Sequence, residues 1–350
     1  MGCASSVETQ ESSRSIATMT SSQEDENTLV VDYNGEGALE NSDDTKYILE
    51  WKAEYPTTKY HWWPQLDRDA NEEDCINNLF AKGTGLDLYD QLFGTKSIEY
   101  QRENHRIEKN SKRTDKYWAG FCDRAASLSC LYSYPKHAVN VKYHNCELTF
   151  EPRQIESLLI VASDNATRQG LSNMYGVRNN LKKTYEGIPE EEYQNFYQEH
   201  QNEPYPLELL EILKRFSKEP EPFVMDIDNG DSVWNYSFDS IKVSDITDDH
   251  DYDSEKLPQT GNNTLYRFDI QSQAFPQKNM IIDGYVNEND SCIEQGWLSD
   301  KNPDFLWKEY RYLGPWKGRC QMNPEISARN VYRIYMASIT ENPRMIEFVN

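Results

Sequence analysis

Residues 118–131 constrain this chain more than any other segment, because they join Gly120, Cys122 and an apolar run rich in Ala and Leu. Gly120 permits a tight turn, and the run that follows predicts a buried helix over residues 122–133, which Pro135 ends. Cys122 would then stand at the N-terminus of a helix, where unpaired N–H groups and the helix dipole favour a thiolate. The alternative interpretation is a small buried hydrophobe that starts a core helix.

The composition predicts one large soluble domain behind an acidic tail. The chain has 350 residues, of which 37% are hydrophobic and 12% aromatic, so that it can bury a substantial core. Residues 1–46 carry ten acidic side chains against Arg14 and Lys46 and few apolar ones, which predicts disorder. We therefore expect a tail over residues 1–46 and a folded domain over residues 47–350.

The charge of the chain bears on its partners. The formal net charge is −23, whereas binding to phosphates needs clustered Lys and Arg, so nucleic acid is not expected as a partner. The seven cysteines form no Cys-x-x-Cys pair, which indicates free thiols in a reducing cytosol. The six histidines are scattered and none is paired with cysteine at zinc-binding spacing. We expect neither a metal nor a cofactor.

The first six residues predict a lipid anchor. Met1, Gly2 and Cys3 open a segment that ends in Ser6 and fits the signal for myristoylation of Gly2. One myristoyl chain binds membranes only marginally, and the acidic tail would be repelled by anionic lipid. Palmitoylation of Cys3 is therefore the expected second anchor, and the predicted location is the cytoplasmic face of a membrane. The alternative is a chance match to a short motif.

The coarse pattern of the folded part indicates an α+β arrangement. Residues 85–93, ending at Gly94, and residues 155–163 read as helices, and residues 139–143 with 147–150 as a hairpin. Strands are predicted over residues 223–227, 265–270, 279–286 and 331–339. The prediction is helices first and antiparallel strands later.

Three separated motifs give the chain a resemblance to a known family. The first motif consists of Trp118, Gly120, Cys122 and Ala126, and the second of residues 223–226, Phe-Val-Met-Asp, followed by residues 233–235, Val-Trp-Asn. The third motif is residues 303–307, Pro-Asp-Phe-Leu-Trp. Residues 86–90 and 104–106 are two further segments that contribute to the resemblance. In these motifs the chain resembles the transglutaminase elicitor family of oomycete-type transglutaminases, over about residues 80 to 340.

The resemblance implies a papain-like cysteine fold and an aminoacyltransferase reaction. A thiolate attacks a glutamine carboxamide, and an amine, typically that of lysine, resolves the thioester. Residue by residue, Cys122 matches the nucleophile and Asp226 the acid that orients the catalytic histidine. Asp228 lies two residues further on, so that on a strand it shares a face with Asp226 and is the alternative acid.

The histidine of the family is not matched in this chain. Residues 202–210 stand where the family has an aromatic residue and a histidine, and here Tyr205 and Pro206 occupy those positions. His200 lies six residues too early. Loss of a triad base typically costs several orders of magnitude in rate. Two functions follow: a membrane-anchored transglutaminase-like acyltransferase that acts on a protein substrate, or a pseudoenzyme that binds a basic protein partner.

Overall fold

The computed structural model defines three sheets and six helices within the part of the chain that it describes. The chain divides into two units, Met1–Asp44 and Thr45–Asn350, and all described residues belong to the second. The predicted anchor residues Gly2 and Cys3 and the predicted tail lie outside the described residues. The described residues are 47–65, 78–106, 120–163, 174–176, 204–226, 235–248, 256–273, 278–289, 292–299, 303, 305–307, 323–340 and 345–348.

Five antiparallel strands form the largest sheet, in the order β1-β7-β8-β9-β10. Each strand of this sheet pairs with its neighbour over most of its length. Phe268, Ile270 and Ser272 of β8 follow one another at intervals of two residues, so that they lie on one face of the strand, and all three are buried. The strands are β1 (Tyr47–Lys52), β7 (Ser240–Asp245), β8 (Asn262–Ser272), β9 (Lys278–Glu288) and β10 (Ile293–Trp297).

A second sheet has the order β4-β11-β5-β6 and is also antiparallel, and a third has the order β12-β2-β3, in which β12 runs parallel to β2. The second sheet consists of β4 (Met174–Gly176), β11 (Phe305–Trp307), β5 (Phe223–Asp226) and β6 (Asn235–Phe238). The third consists of β2 (Val139–Tyr143), β3 (Cys146–Phe150) and β12 (Ile346–Phe348).

The helices divide between two hydrophobic cores. One core lies among α1, α4, α6 and the third sheet, and the other lies between α5 and the larger sheets. The helices are α1 (Gly85–Phe93), α2 (Ser97–His105), α3 (Cys122–Leu131), α4 (Pro152–Ala162), α5 (Pro206–Phe216) and α6 (Ala328–Ile339). Gly94 ends α1 with φ 67°, the left-handed conformation that glycine adopts readily.

The α+β class is confirmed, but the predicted order of elements is wrong. Strand β1 precedes all the described helices and α6 follows the large sheet, whereas the hairpin predicted between α3 and α4 is present as β2–β3. The strand predicted over residues 331–339 is part of α6. Val331, Ile334, Tyr335 and Ser338 are buried residues of this segment, and their spacing is that of one helix face.

The N-terminus of α6 explains why this segment is helical. The Ser327 hydroxyl accepts a hydrogen bond from the Asn330 N–H at 3.3 Å, and so satisfies one of the backbone donors at the helix end. The Ser327 N–H in turn donates to the Tyr89 hydroxyl at 3.0 Å, which ties this helix end to α1. The serine before residues 328–330 is the signal for a helix that the strand prediction overlooks.

The cap gives a stability prediction. We expect Ser327→Ala to lower the free energy of unfolding by about 1 kcal/mol, because it removes the N-cap acceptor of α6. Thr340→Ala is the matched control, since it removes an exposed hydroxyl at the other end of the same helix and should change stability by less than about 0.5 kcal/mol. Urea denaturation measures both, and equal midpoints for the two variants would contradict the role of Ser327.

Candidate active site

Helix α3 begins at Cys122, as the sequence predicts, and it lies between the two halves of the fold. Phe121, Ala125 and Leu128 pack into the core formed with α1, α4 and α6. Ala126 and Cys130 lie on another face and pack against Val224 of β5. The small side chains on this second face allow the helix to approach the β5–β6 hairpin closely. Cys122 therefore stands at a seam between a helical core and a sheet.

The polypeptide that leads into Cys122 is held by the backbone of a neighbouring segment. The Phe121 N–H donates to the Trp62 carbonyl at 2.7 Å and to the Trp63 carbonyl at 3.1 Å, and Gly120 forms an antiparallel bridge with Pro64. A Cβ atom at position 120 would collide with the Trp62 ring. Gly120 is therefore required by this close approach and not by its backbone conformation, because its φ lies outside the left-handed region.

The Asn235 side chain contacts the thiol. Its Nδ2 donates to Cys122 Sγ at 3.3 Å. Asn235 is the first residue of β6 and pairs with Asp226, the last residue of β5. Asp226 is fully buried, and Asn235 is 7% exposed. Strand pairing thus brings Cys122, Asp226 and Asn235 together from three separated parts of the chain.

Burial raises the pKa of the Cys122 thiol to about 11, and the carboxylates of Asp123 and Asp226 act in the same direction. The hydrogen bonds with Asn235 act against this rise in the pKa, because the amide donors stabilise the thiolate. Cys122 is half-buried as a residue, whereas its thiol is almost completely surrounded by protein atoms. The structure therefore holds a thiol that is protonated at neutral pH.

The other residues singled out in the sequence have different positions. Asp228 lies outside the described residues. Pro206 is the first residue of α5 and packs against Gly284 of β9, while the Leu207 N–H donates to Gln295 of β10 at 3.1 Å. The stretch aligned with the family histidine thus lies against the large sheet, whereas Asn235, which donates to the thiol, belongs to β6.

Asn104 and His105, which belong to the 104–106 segment, have surroundings that differ from each other. Asn104 is exposed, and its amide donates to the Tyr100 carbonyl of its own helix at 2.9 Å. The ring of His105 lies edge-on to Phe121, with the ring centroids 6.4 Å apart. An imidazole thus stands beside the residue that precedes Cys122, a position that spacing along the chain does not reveal.

Asn235 is the site residue whose role the sequence does not identify. It belongs to the Val-Trp-Asn motif, but its contact with the thiol depends on its register opposite Asp226 and on the placement of α3. Within the described part of the chain, no group of three or more His, Cys, Asp or Glu residues could hold a metal ion. A thiol, an amide and a carboxylate are thus the groups that the described residues bring together at this site.

Comparison with known proteins gave no match: the chain matches no family model, no curated protein and no solved structure. What the site does is therefore inferred from its geometry and from the resemblance of its motifs.

The raised pKa predicts how the reactivity of Cys122 depends on pH. Because only the thiolate is nucleophilic, iodoacetamide labelling of Cys122 should be slow at about pH 7 and rise roughly tenfold for each pH unit up to the pKa. Mass spectrometry of the Cys122 peptide at a series of pH values measures the rate. Fast labelling that does not change between about pH 5 and 8 would contradict a protonated thiol.

Substitution at position 235 tests the contact. We expect Asn235→Ala to slow labelling about fivefold, the equivalent of one hydrogen bond of about 1 kcal/mol. Asn235→His should instead accelerate labelling at about pH 7 by tenfold or more, because an imidazolium beside Sγ stabilises the thiolate. Asn140→His is the matched control, since Asn140 is exposed on β2. Equal rates for Asn235→His and this control would show that position 235 does not act on the thiol.

Proposed function

We propose that this protein is a transglutaminase-like cysteine acyltransferase with a papain-like arrangement of its site, active mainly at alkaline pH. The observation that carries the proposal is the meeting of Cys122, Asp226 and Asn235 where α3 starts against the β5–β6 hairpin. A nucleophile at a helix end, a carboxylate and a polar orienting group are parts that acyl transfer by cysteine uses together with a base. The resemblance of the sequence motifs supports the same chemistry.

The reaction follows from these groups. The Cys122 thiol loses its proton, and its sulfur attacks the carbonyl carbon of a glutamine carboxamide. Ammonia leaves with that proton, and an acyl thioester remains on Cys122. A lysine amine then attacks the thioester, forms an amide and returns a proton to the sulfur. Backbone N–H groups in the first turn of α3 can stabilise the oxyanion of each addition step.

Asp226 has two effects on the site. Its negative charge raises the pKa of Cys122 and so opposes formation of the thiolate. Its carboxylate is also the group that can hold a proton, or orient a base, next to the sulfur during acyl transfer. We expect the second effect to dominate in catalysis, because formation and breakdown of the thioester both require a proton transfer at this site.

A second function is favoured by the raised pKa itself. A thiol with a pKa of about 11 is a poor nucleophile at neutral pH. The domain would then be a pseudoenzyme that keeps the fold as a binding module at a membrane. The net charge of −23 suits a basic protein partner.

A transfer assay separates the two functions. We expect the full chain to join a biotinylated alkylamine to a glutamine peptide faster at about pH 9 than at pH 7, as the thiolate fraction rises. Cys122→Ala should abolish transfer, and Asp226→Asn should lower kcat by about tenfold or more. Asp269→Asn is the matched control, because Asp269 lies on the large sheet. Transfer that survives Cys122→Ala contradicts the acyltransferase, and absence of transfer at both pH values supports the pseudoenzyme.

The proposed location is the cytoplasmic face of a membrane, held by myristoylated Gly2 and palmitoylated Cys3. No helix within the described ranges is long and apolar enough to cross a membrane. The signal at residues 1–6 supports myristoylation of Gly2. Because the acidic tail gives no electrostatic attraction to anionic lipid, a second lipid on Cys3 is needed for stable binding.

Fractionation tests the anchor. In eukaryotic cells the wild-type chain should pellet with membranes, Gly2→Ala should remain in the supernatant, and Cys3→Ser should bind only transiently, because a single myristoyl chain is a weak anchor. Ser12→Ala is the control, since it lies in the same tail but outside the signal. Equal membrane recovery of wild type and Gly2→Ala would contradict a lipid anchor at Gly2.

A further inference from the structure

A buried carboxylate on α4 takes no part in the proposed reaction. The Glu156 side chain is fully buried. It accepts a hydrogen bond from the backbone N–H of His61 and one from the Tyr134 hydroxyl at 3.2 Å, and it forms an ion pair with Arg153 at 3.3 Å. A buried carboxylate is costly unless donors surround it, and these three groups are such donors.

The segment held by Glu156 is strained. Trp63 has φ 42°, a left-handed conformation that a bulky residue rarely adopts, and its side chain is buried. The Arg153 guanidinium lies over the Trp63 ring, 5.0 Å from its centroid. Glu156 and Arg153, three residues apart on α4, thus hold His61 and Trp63 from one side. Backbone strain of this kind persists only where the surroundings enforce it, and it concentrates at functional sites.

The same segment determines where α3 begins. The Trp62 and Trp63 carbonyls accept the Phe121 N–H, and Pro64 bridges Gly120. The N-cap residue of α3 is Phe121, whose apolar side chain cannot cap the helix, so these backbone contacts restrain the residues just before Cys122. A continuous path of contacts therefore runs from Glu156 through residues 61–64 and Phe121 to Cys122.

We propose that Glu156 is a positioning residue for Cys122, which acts by holding residues 61–64 in the conformation that places the start of α3 against β6. Its effect on the thiol is transmitted through that segment. The inference rests on the proposed role of Cys122 as the nucleophile and adds the element that keeps this nucleophile in its half-buried position.

The surroundings of Glu156 indicate the direction of the effect. Burial raises the pKa of its carboxyl, while the His61 N–H, Arg153 and Tyr134 lower it. Tyr60, which is buried beside it, is a further titratable neighbour. Loss of the carboxylate would release residues 61–64 and admit water to Cys122. Since burial is the largest cause of the raised pKa of that thiol, hydration should lower the pKa toward the ordinary value.

The experiment is the pH profile of iodoacetamide labelling of Cys122 in the Glu156→Gln variant of the full chain. We expect labelling at about pH 8 to be roughly tenfold faster than in wild type, the equivalent of a fall of about one unit in the pKa of the thiol. Tyr134→Phe removes only one donor to Glu156 and should change the rate in the same direction by a smaller factor. This second variant decides the question if Glu156→Gln does not fold.

Asn287→Ala is the matched control, because the buried Asn287 side chain donates to the Thr260 carbonyl and to Asn263 in the large sheet. It should lower the melting temperature without moving the labelling profile. The proposal is wrong if Tyr134→Phe lowers the melting temperature but keeps the wild-type labelling profile, and if Glu156→Gln, where it folds, does the same. Glu156 would then be structural only. Iodoacetamide labelling measures the reactivity of the Cys122 thiol itself and does not require acyl transfer. Failure of the proposed acyltransferase activity can therefore be distinguished from failure of the proposed role of Glu156.

Discussion

The site depends on one contact, the hydrogen bond from the Asn235 amide to the Cys122 sulfur. It joins the first residue of α3 to the first residue of β6. A neutral amide stabilises a thiolate less than an imidazolium does, and burial with two nearby carboxylates opposes ionisation. The balance of these effects is a thiol that stays protonated at neutral pH. In the two functions proposed above, this balance separates an acyltransferase from a binding module.

The position of α3 between two cores makes this contact possible. Phe121 and Leu128 anchor one face of the helix in the helical half, and Ala126 lies against Val224 on the other. Further along the helix, the Ser129 hydroxyl is 2.8 Å from the hydroxyl of Ser237 on β6. Small residues along this face keep the helix close to the hairpin, so that the Cys122 thiol lies within reach of the Asn235 amide.

Local signals predict the elements that carry the site, but not their meeting. Gly94 as a helix end and Cys122 as a helix start follow from glycine chemistry and apolar pattern, and both agree with the structure. The strand prediction over residues 331–339 is wrong because it gives the β-branched and aromatic residues more weight than the capping serine at 327. The role of Asn235 could not be predicted, since it arises from strand register and from the packing of a distant helix.

The most direct measurement is the ultraviolet absorbance of the Cys122 thiolate as a function of pH, taken as the difference between wild type and Cys122→Ala. We predict a midpoint at about pH 11, because the effects of burial, Asp123 and Asp226 on the pKa together outweigh the Asn235 hydrogen bonds. A midpoint below about pH 7, as at activated cysteines paired with a cation, would contradict a buried thiol whose hydrogen bond comes from a neutral amide.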